Sequence, residues 1–155
     1  MYNMNKTLHT ILDIGFRDIT TFGGAIFYFL LVFSLFLLDQ NKIASVLSGG
    51  FMITLIITVI IRLLYFRPRP KKQGYHNIVE RIDASSFPSL HTARMVFLAG
   101  VGIQSFRNTI TTISLIVFAL SVLYSRIHLK KHDWIDVLGG IVVGVGTYFG
   151  VLYWV

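Results

Sequence analysis

Charged residues fall in clusters along the chain and leave four long stretches without any charge, at 19–38, 43–61, 108–125 and 137–155. Each is close to the roughly 20 residues that an α-helix needs to cross the hydrocarbon core of a bilayer. A fifth stretch, 89–105, is interrupted only by His91 and Arg94 near its start. The pattern predicts five membrane helices, at about 22–38, 43–66, 89–106, 109–127 and 134–154.

A buried helical bundle in a soluble protein is the alternative interpretation of these stretches. Such helices show polar stripes at helical spacing, and the segment 25–33, AIFYFLLVF, has none. We therefore predict an all-α, integral-membrane helical bundle.

The first 21 residues differ from the predicted spans. Leu8, Ile11 and Leu12 fall on one side of a helix while Asp13 and Arg17 are polar, a pattern typical of a helix that lies in the membrane interface. No linker divides the chain, so we expect one domain over 1–155. Within it, 1–21 forms an interfacial helix and 22–155 a transmembrane bundle, with site loops at 67–90 and 125–136.

The composition excludes several classes of protein. Of 155 residues, 54% are hydrophobic and only 14% are charged, which excludes a disordered chain. With no Cys, disulfides, a thiolate nucleophile and Cys-ligated zinc are excluded as well. The net charge is nevertheless +7, so the positions of the basic residues carry the remaining information.

Most basic residues collect on one face of the predicted bundle, because successive crossings place 62–91 and 125–136 on the same side. The polar residues of this face are Arg62, Arg67, Arg69, Lys71, Lys72, Ser89, His91, Ser125, Arg126, His128, Lys130, Lys131, His132 and Asp136. Arginine offers a planar fork of donors that matches phosphate oxygens, and histidine can attack or protonate near neutral pH. The set predicts a phosphate site at the membrane surface.

Three spacings sharpen this prediction. Arg62 is followed after six residues by Arg69-Pro70, the tetrapeptide Pro88-Ser89-Leu90-His91 opens the third span, and Ser125-Arg126 precedes His132 and Asp136. Together they resemble the signature of the type 2 phosphatidic acid phosphatase superfamily: K-x-x-x-x-x-x-R-P, P-S-G-H and S-R-x-x-x-x-x-H-x-x-x-D. Arg67-Pro68 also matches part of the first motif, but the residue seven before Arg67 is Ile60, so the Arg69 register is preferred.

The resemblance implies a role for each matched residue. His132 is the nucleophile that forms a phosphohistidine, with Asp136 as its orienter, and His91 is the general acid. Arg62, Arg69, Arg126 and the backbone at Ser89 and Leu90 bind the phosphate. His132 and Asp136 are four residues apart, which on a helix places them on one face.

No metal or cofactor is implied by the resemblance. His128 and His132 have a spacing that could bind metal, but the sequence offers no evident third ligand.

The resemblance implies a multi-pass phosphatase of a bacterial plasma membrane acting on a lipid phosphate or diphosphate. Phosphatidic acid, phosphatidylglycerol phosphate and undecaprenyl diphosphate share the required headgroup. Two departures matter: Arg62 stands where the family has Lys, and Leu90 where it has Gly. The second leaves hydrolysis and transfer of a phospholipid headgroup both open. A non-enzymatic protein that binds anionic lipid is the third alternative, whereas no recognised nucleic-acid module is present.

Two arguments about sidedness disagree. The positive-inside rule places the basic face in the cytoplasm, whereas the resemblance implies a site that faces outward, which we expect here. The spacings Gly140-x-x-x-Gly144 and Gly146-x-x-x-Gly150 in the last span let helices approach closely. They predict packing within one chain or a homo-oligomer through the last helix.

Overall fold

A computed structural model describes residues 4–71 and 73–152, with side chains from 7 onward, so Lys72 lies outside the described residues. This part of the chain forms seven helices. They are α1 (Met4–Thr21), α2 (Ala25–Leu37), α3 (Asn41–Leu64), α4 (Ile78–Ala84), α5 (Leu90–Phe106), α6 (Thr109–His128) and α7 (Trp134–Val151). The extended structure of the described residues is a single antiparallel bridge between Pro68 and Ser85.

The predicted all-helical bundle is confirmed, and each predicted span corresponds to one helix: α2, α3, α5, α6 and α7. Among the described residues, α3, α6 and α7 are individually long and apolar enough to cross a membrane. The helices α1 and α2 meet at a bend of 46°, and the pair would make a fourth span only if it crosses the membrane as one broken helix. The interfacial position of α1 stays a prediction.

The short helix α4, which the sequence analysis did not predict, lies in the polar segment between α3 and α5. Its N-cap is Asn77, whose side chain accepts a hydrogen bond of 2.8 Å from the Glu80 amide. Asparagine is a preferred N-cap residue because its side-chain oxygen satisfies one of the free amides of the first turn.

Helix α5 packs against α3, α6 and α7, and two glycines of α7 let it approach the backbone of α5 closely. A Cβ atom added at Gly140 would lie 2.5 Å from the Ser89 carbonyl oxygen, and one at Gly144 would lie 2.6 Å from that of Ala93. The spacing Gly140-x-x-x-Gly144 therefore packs helices within one chain. Gly146 and Gly150 have nothing within 4 Å, and an oligomer through them stays a prediction.

Backbone hydrogen bonds join the site loops to the start of α5. The Ser86 amide donates to the Arg67 carbonyl at 2.7 Å, and the Ser89 amide to the Asp136 carbonyl at 2.9 Å. A further bond of 3.2 Å joins Lys71 to Lys130. The segments after α3, before α5 and before α7 are therefore held together at one end of the bundle.

Candidate active site

Two buried arginines lie in the last turns of the helices that end near the site loops. They are Arg62 in α3 and Arg126 in α6. The Arg62 guanidinium donates to the carbonyls of Ile82 (3.1 Å) and Pro88 (2.9 Å). Arg126 donates to the Thr20 hydroxyl at 2.8 Å. The Nε atom of each arginine is buried without a hydrogen-bond partner. Among the described residues, both cations therefore contact neutral oxygens and no carboxylate, which is a costly way to bury charge.

Arg69 supplies the third cation, from the loop after α3. Its guanidinium bonds the Gln73 side chain at 2.9 Å and the Asp83 carbonyl, and lies 3.7 Å from the exposed Asp83 carboxylate. Its Nε is also buried without a partner. The three positive charges repel one another, because Arg69 lies close enough to act on both Arg62 and Arg126.

The neighbouring Lys131 responds to the same concentration of charge. Partial burial lowers its pKa, and the charges of Arg69 and Arg126 lower it further. An anion entering this cluster would relieve the repulsion among its cations.

His132 and Asp136 are adjacent, but not through a shared helix face as predicted. His132 precedes α7, Asp133 is the N-cap and Asp136 is the third residue of the helix. A capping box folds the Asp136 carboxylate back toward the N-cap, where Oδ2 accepts from the Asp133 amide at 3.0 Å and lies 3.6 Å from Nδ1 of His132. The turn before the helix therefore brings the two side chains together.

Burial lowers the pKa of His132 below its usual value. The Asp136 carboxylate acts in the opposite direction, and the charge of Arg126 lowers the pKa further. Because the lowering effects dominate, the environment favours the neutral form of His132, which is the form of the ring that can act as a nucleophile. Only 3% of His132 is exposed, so a reacting group must come to it within the bundle.

Arg67, which sequence reasoning set aside in favour of Arg69, holds the carboxylates in place. Its guanidinium contacts both Asp133 oxygens, at 2.8 and 2.7 Å, and Oδ1 of Asp136 at 2.7 Å. The Ser86 hydroxyl donates to the same Asp136 oxygen at 3.1 Å. The sequence signal for this contact is the spacing Asp133-x-x-Asp136 at the start of a helix, because it brings two carboxylates together where a basic residue can bond both.

The Pro-Ser-Leu-His motif begins α5 and presents His91 to the cluster. His91 interacts electrostatically with Arg126, His132 and Arg69. On its other side the ring contacts the bend between α1 and α2, where a Cβ atom at Gly23 would lie 3.0 Å from Cβ of His91. Neither Thr20 nor Gly23 was predicted to border the site.

Leu90 is helical, so the position does not use a conformation open only to glycine. The amides of Leu90 and His91 are among those that no helical carbonyl can satisfy. The Ser89 amide is bonded to the Asp136 carbonyl, and the Ser89 hydroxyl accepts from Thr92 at 3.0 Å. Of the predicted phosphate-binding backbone, the Ser89 amide is therefore already engaged.

The His128-x-x-x-His132 spacing does not bring the two rings to a common site. His128 lies 2.8 Å from the Asp13 carboxylate and packs on the ring of Phe16 in α1. Within the described part of the chain, no three His, Asp or Glu side chains are grouped so that they could hold a metal ion.

The described residues thus combine helices long and apolar enough to cross a membrane with a buried group of cations at one end. Residues 43–155 match the PAP2 superfamily, and the chain belongs to this family of lipid phosphatases. It is therefore a hydrolase of phosphoric esters or anhydrides.

Two similar proteins extend this finding. The chain is 29% identical over 154 residues to the undecaprenyl-diphosphatase BcrC of Bacillus subtilis (strain 168), covering 93% of this chain and 78% of BcrC. The crystal structure of Aquifex aeolicus LpxE has the same fold, with a TM-score of 0.76 at 24% identity over 92% of this chain and 86% of LpxE.

Proposed function

We propose that this protein hydrolyses a membrane lipid phosphate or diphosphate through a phosphohistidine. The observation that carries the proposal is the group of three guanidiniums, each with a buried and unpartnered Nε, beside the His132–Asp136 pair. The similarity to an undecaprenyl-diphosphatase makes a polyprenyl diphosphate the first substrate to test.

In the proposed reaction, Nε2 of the neutral His132 attacks the terminal phosphorus while Asp136 stabilises the positive charge that develops on the ring. The bond to the leaving oxygen breaks, and His91, protonated once the bound anion offsets the neighbouring cations, gives that oxygen a proton. Arg62, Arg69 and Arg126 stabilise the charge on the phosphoryl oxygens in the transition state. Water then attacks the phosphorus while His91 accepts its proton, the bond between phosphorus and Nε2 of His132 breaks, and phosphate is released from the neutral ring.

The proposal is tested by phosphate release from purified protein in detergent, with a chelator present. The panel contains a polyprenyl diphosphate, phosphatidic acid and phosphatidylglycerol phosphate. We expect vanadate, which mimics the pentacoordinate state, to inhibit, and His132→Ala to abolish release. His128→Ala is the matched control and should retain most activity. Normal turnover by His132→Ala would exclude the proposed nucleophile, and loss on chelation that zinc restores would favour a metal mechanism.

Headgroup transfer predicts a different result in the same assay. A transferase would release little phosphate and would pass the headgroup to an added lipid alcohol. Lipid binding without either product would instead indicate a binding protein.

We also propose that the site faces outward from a bacterial plasma membrane. The chain has no Cys, so single cysteines can report the sidedness directly. Gly74, in the exposed loop before α4, lies at the site end, and Thr109 at the start of α6 lies at the other. In intact cells an impermeant maleimide should label Gly74→Cys and not Thr109→Cys. The reverse pattern would place the site in the cytoplasm.

A further inference from the structure

Arg94 in α5 is a buried cation that the proposed reaction does not use. Only 6% of the residue is exposed, and its Nε is buried without a hydrogen-bond partner. Its guanidinium lies 4.1 Å from the centre of the Phe51 ring, and no ion pair is found for it among the described residues. Cation–π attraction offsets only part of the cost of removing a charge from water, so the site favours an anion.

The position of Arg94 connects it to the phosphate cluster. It follows His91 by three residues and lies on the same side of α5, about 4.5 Å further along the helix axis. Its charge acts on both Arg62 and His91. The buried hydroxyl of Thr58, four residues before Arg62 in α3, also has no hydrogen-bond partner. Hydrogen-bond donors without partners are therefore found both in the cluster and further inside the bundle.

An apolar cleft of about 130 Å³ opens near Arg94, although Arg94 itself does not line it. It lies between α2 and α3, and Phe51, on which the guanidinium packs, forms part of its wall. The other lining residues are Tyr28, Phe29, Val32, Ser48 and Met52. The cleft has room for the first carbons of a lipid chain beside an anion at Arg94.

We propose that Arg94 and Thr58 form an inner subsite for a second phosphate, the one bonded to the lipid in a lipid diphosphate. This inference rests on the proposed function, with the terminal phosphate at Arg62, Arg69 and Arg126. The two phosphates of a diphosphate share one oxygen, so the inner phosphate lies close to the terminal one, on the side of the lipid tail. A lipid monophosphate would leave Arg94 unpaired. The subsite thus selects diphosphates over monophosphates of the same lipid.

The test compares kcat/KM for a polyprenyl diphosphate and for the monophosphate with the same tail. Arg94→Gln should lower the value for the diphosphate about 10- to 100-fold, the range for lost hydrogen bonds to a charged group, and for the monophosphate less than 3-fold. Arg94→Lys should recover part of the loss. Thr58→Val, which keeps shape and charge, should show the same selectivity with a smaller loss. Arg107→Gln, exposed at the far end, is the matched control.

Phosphatidylglycerol phosphate, with two phosphates separated by glycerol, distinguishes the source of the second anion. If Arg94→Gln lowered kcat/KM for this lipid and not for the diphosphate, the proposal would be overturned. Equal losses of kcat/KM on the diphosphate and the monophosphate would overturn it as well.

Binding is measured independently of turnover by the thermal stabilisation of the protein in detergent. Methylenediphosphonate, which is not hydrolysed, should stabilise the wild type more than orthophosphate does, and Arg94→Gln should remove the difference. Equal stabilisation of the variant would overturn the subsite. Absence of phosphate release by the wild type from every lipid would contradict the proposed function, whereas the diphosphonate measurement would still decide the subsite.

Discussion

Replacing Arg67 with Gln should lower kcat although Arg67 is not proposed to touch the phosphate. The guanidinium bonds Oδ1 of the fully buried Asp136 at 2.7 Å, and we propose that Asp136 orients His132, 3.6 Å away. A hydrogen bond to a charged group contributes about 1.5–3 kcal/mol. The Arg67 side chain is 23% exposed, and Asp136 keeps the Ser86 hydroxyl. We therefore expect a loss near ~2 kcal/mol, which corresponds to about 30-fold in rate.

The assay is steady-state phosphate release by Arg67→Gln, Asp136→Asn and the double variant. Because Arg67 is proposed to act through Asp136, the double variant should lose little more than Asp136→Asn alone. KM should change little, and Arg67→Lys should recover part of kcat. Two results would refute the reasoning: a kcat for Arg67→Gln above half that of the wild type, or losses in the double variant that multiply.

Three further predictions concern packing and protonation. Gly140→Ala should lower Tm by about 4–8 °C, since overpacking costs ~2 kcal/mol and the contacted atom belongs to backbone. Gly146→Ala, with open space around it, should not change Tm, and equal effects would contradict the described packing. Gly23→Ala should reduce kcat several-fold with Tm nearly unchanged, because its Cβ would push His91; unchanged turnover would count against this contact. NMR of labelled histidine, assigned with His132→Ala, should give His132 a pKa below 6.5, since burial lowers it, and a value above 6.5 would contradict the described environment.

Much of the bundle could be predicted because its signals are local. The stretches without charge predicted the bounds of α3, α5, α6 and α7 to within a few residues. Counting crossings also placed the three motifs at one end, and the structure brings them together there.

The rest could not be predicted because it depends on contacts between distant residues. Arg126 bonds Thr20 and His128 bonds Asp13, pairs that exist only because α1 folds back against α6. The spacing of the first motif favoured Arg69 over Arg67 as a site residue. The carboxylates that Arg67 bonds lie 66 and 69 residues away along the chain, so no local pattern could indicate them. Nothing in the order of residues shows that Arg94 has no carboxylate partner in the described part of the chain.

Trapping the covalent intermediate tests the central claim most directly. The protein would react with a polyprenyl diphosphate carrying ³²P in the terminal phosphate and be quenched in alkali, where a phosphohistidine survives. The account predicts an acid-labile label on the wild type, located at His132, and none on His132→Ala. Label on a different residue, or turnover by the wild type without any labelled protein, would contradict it.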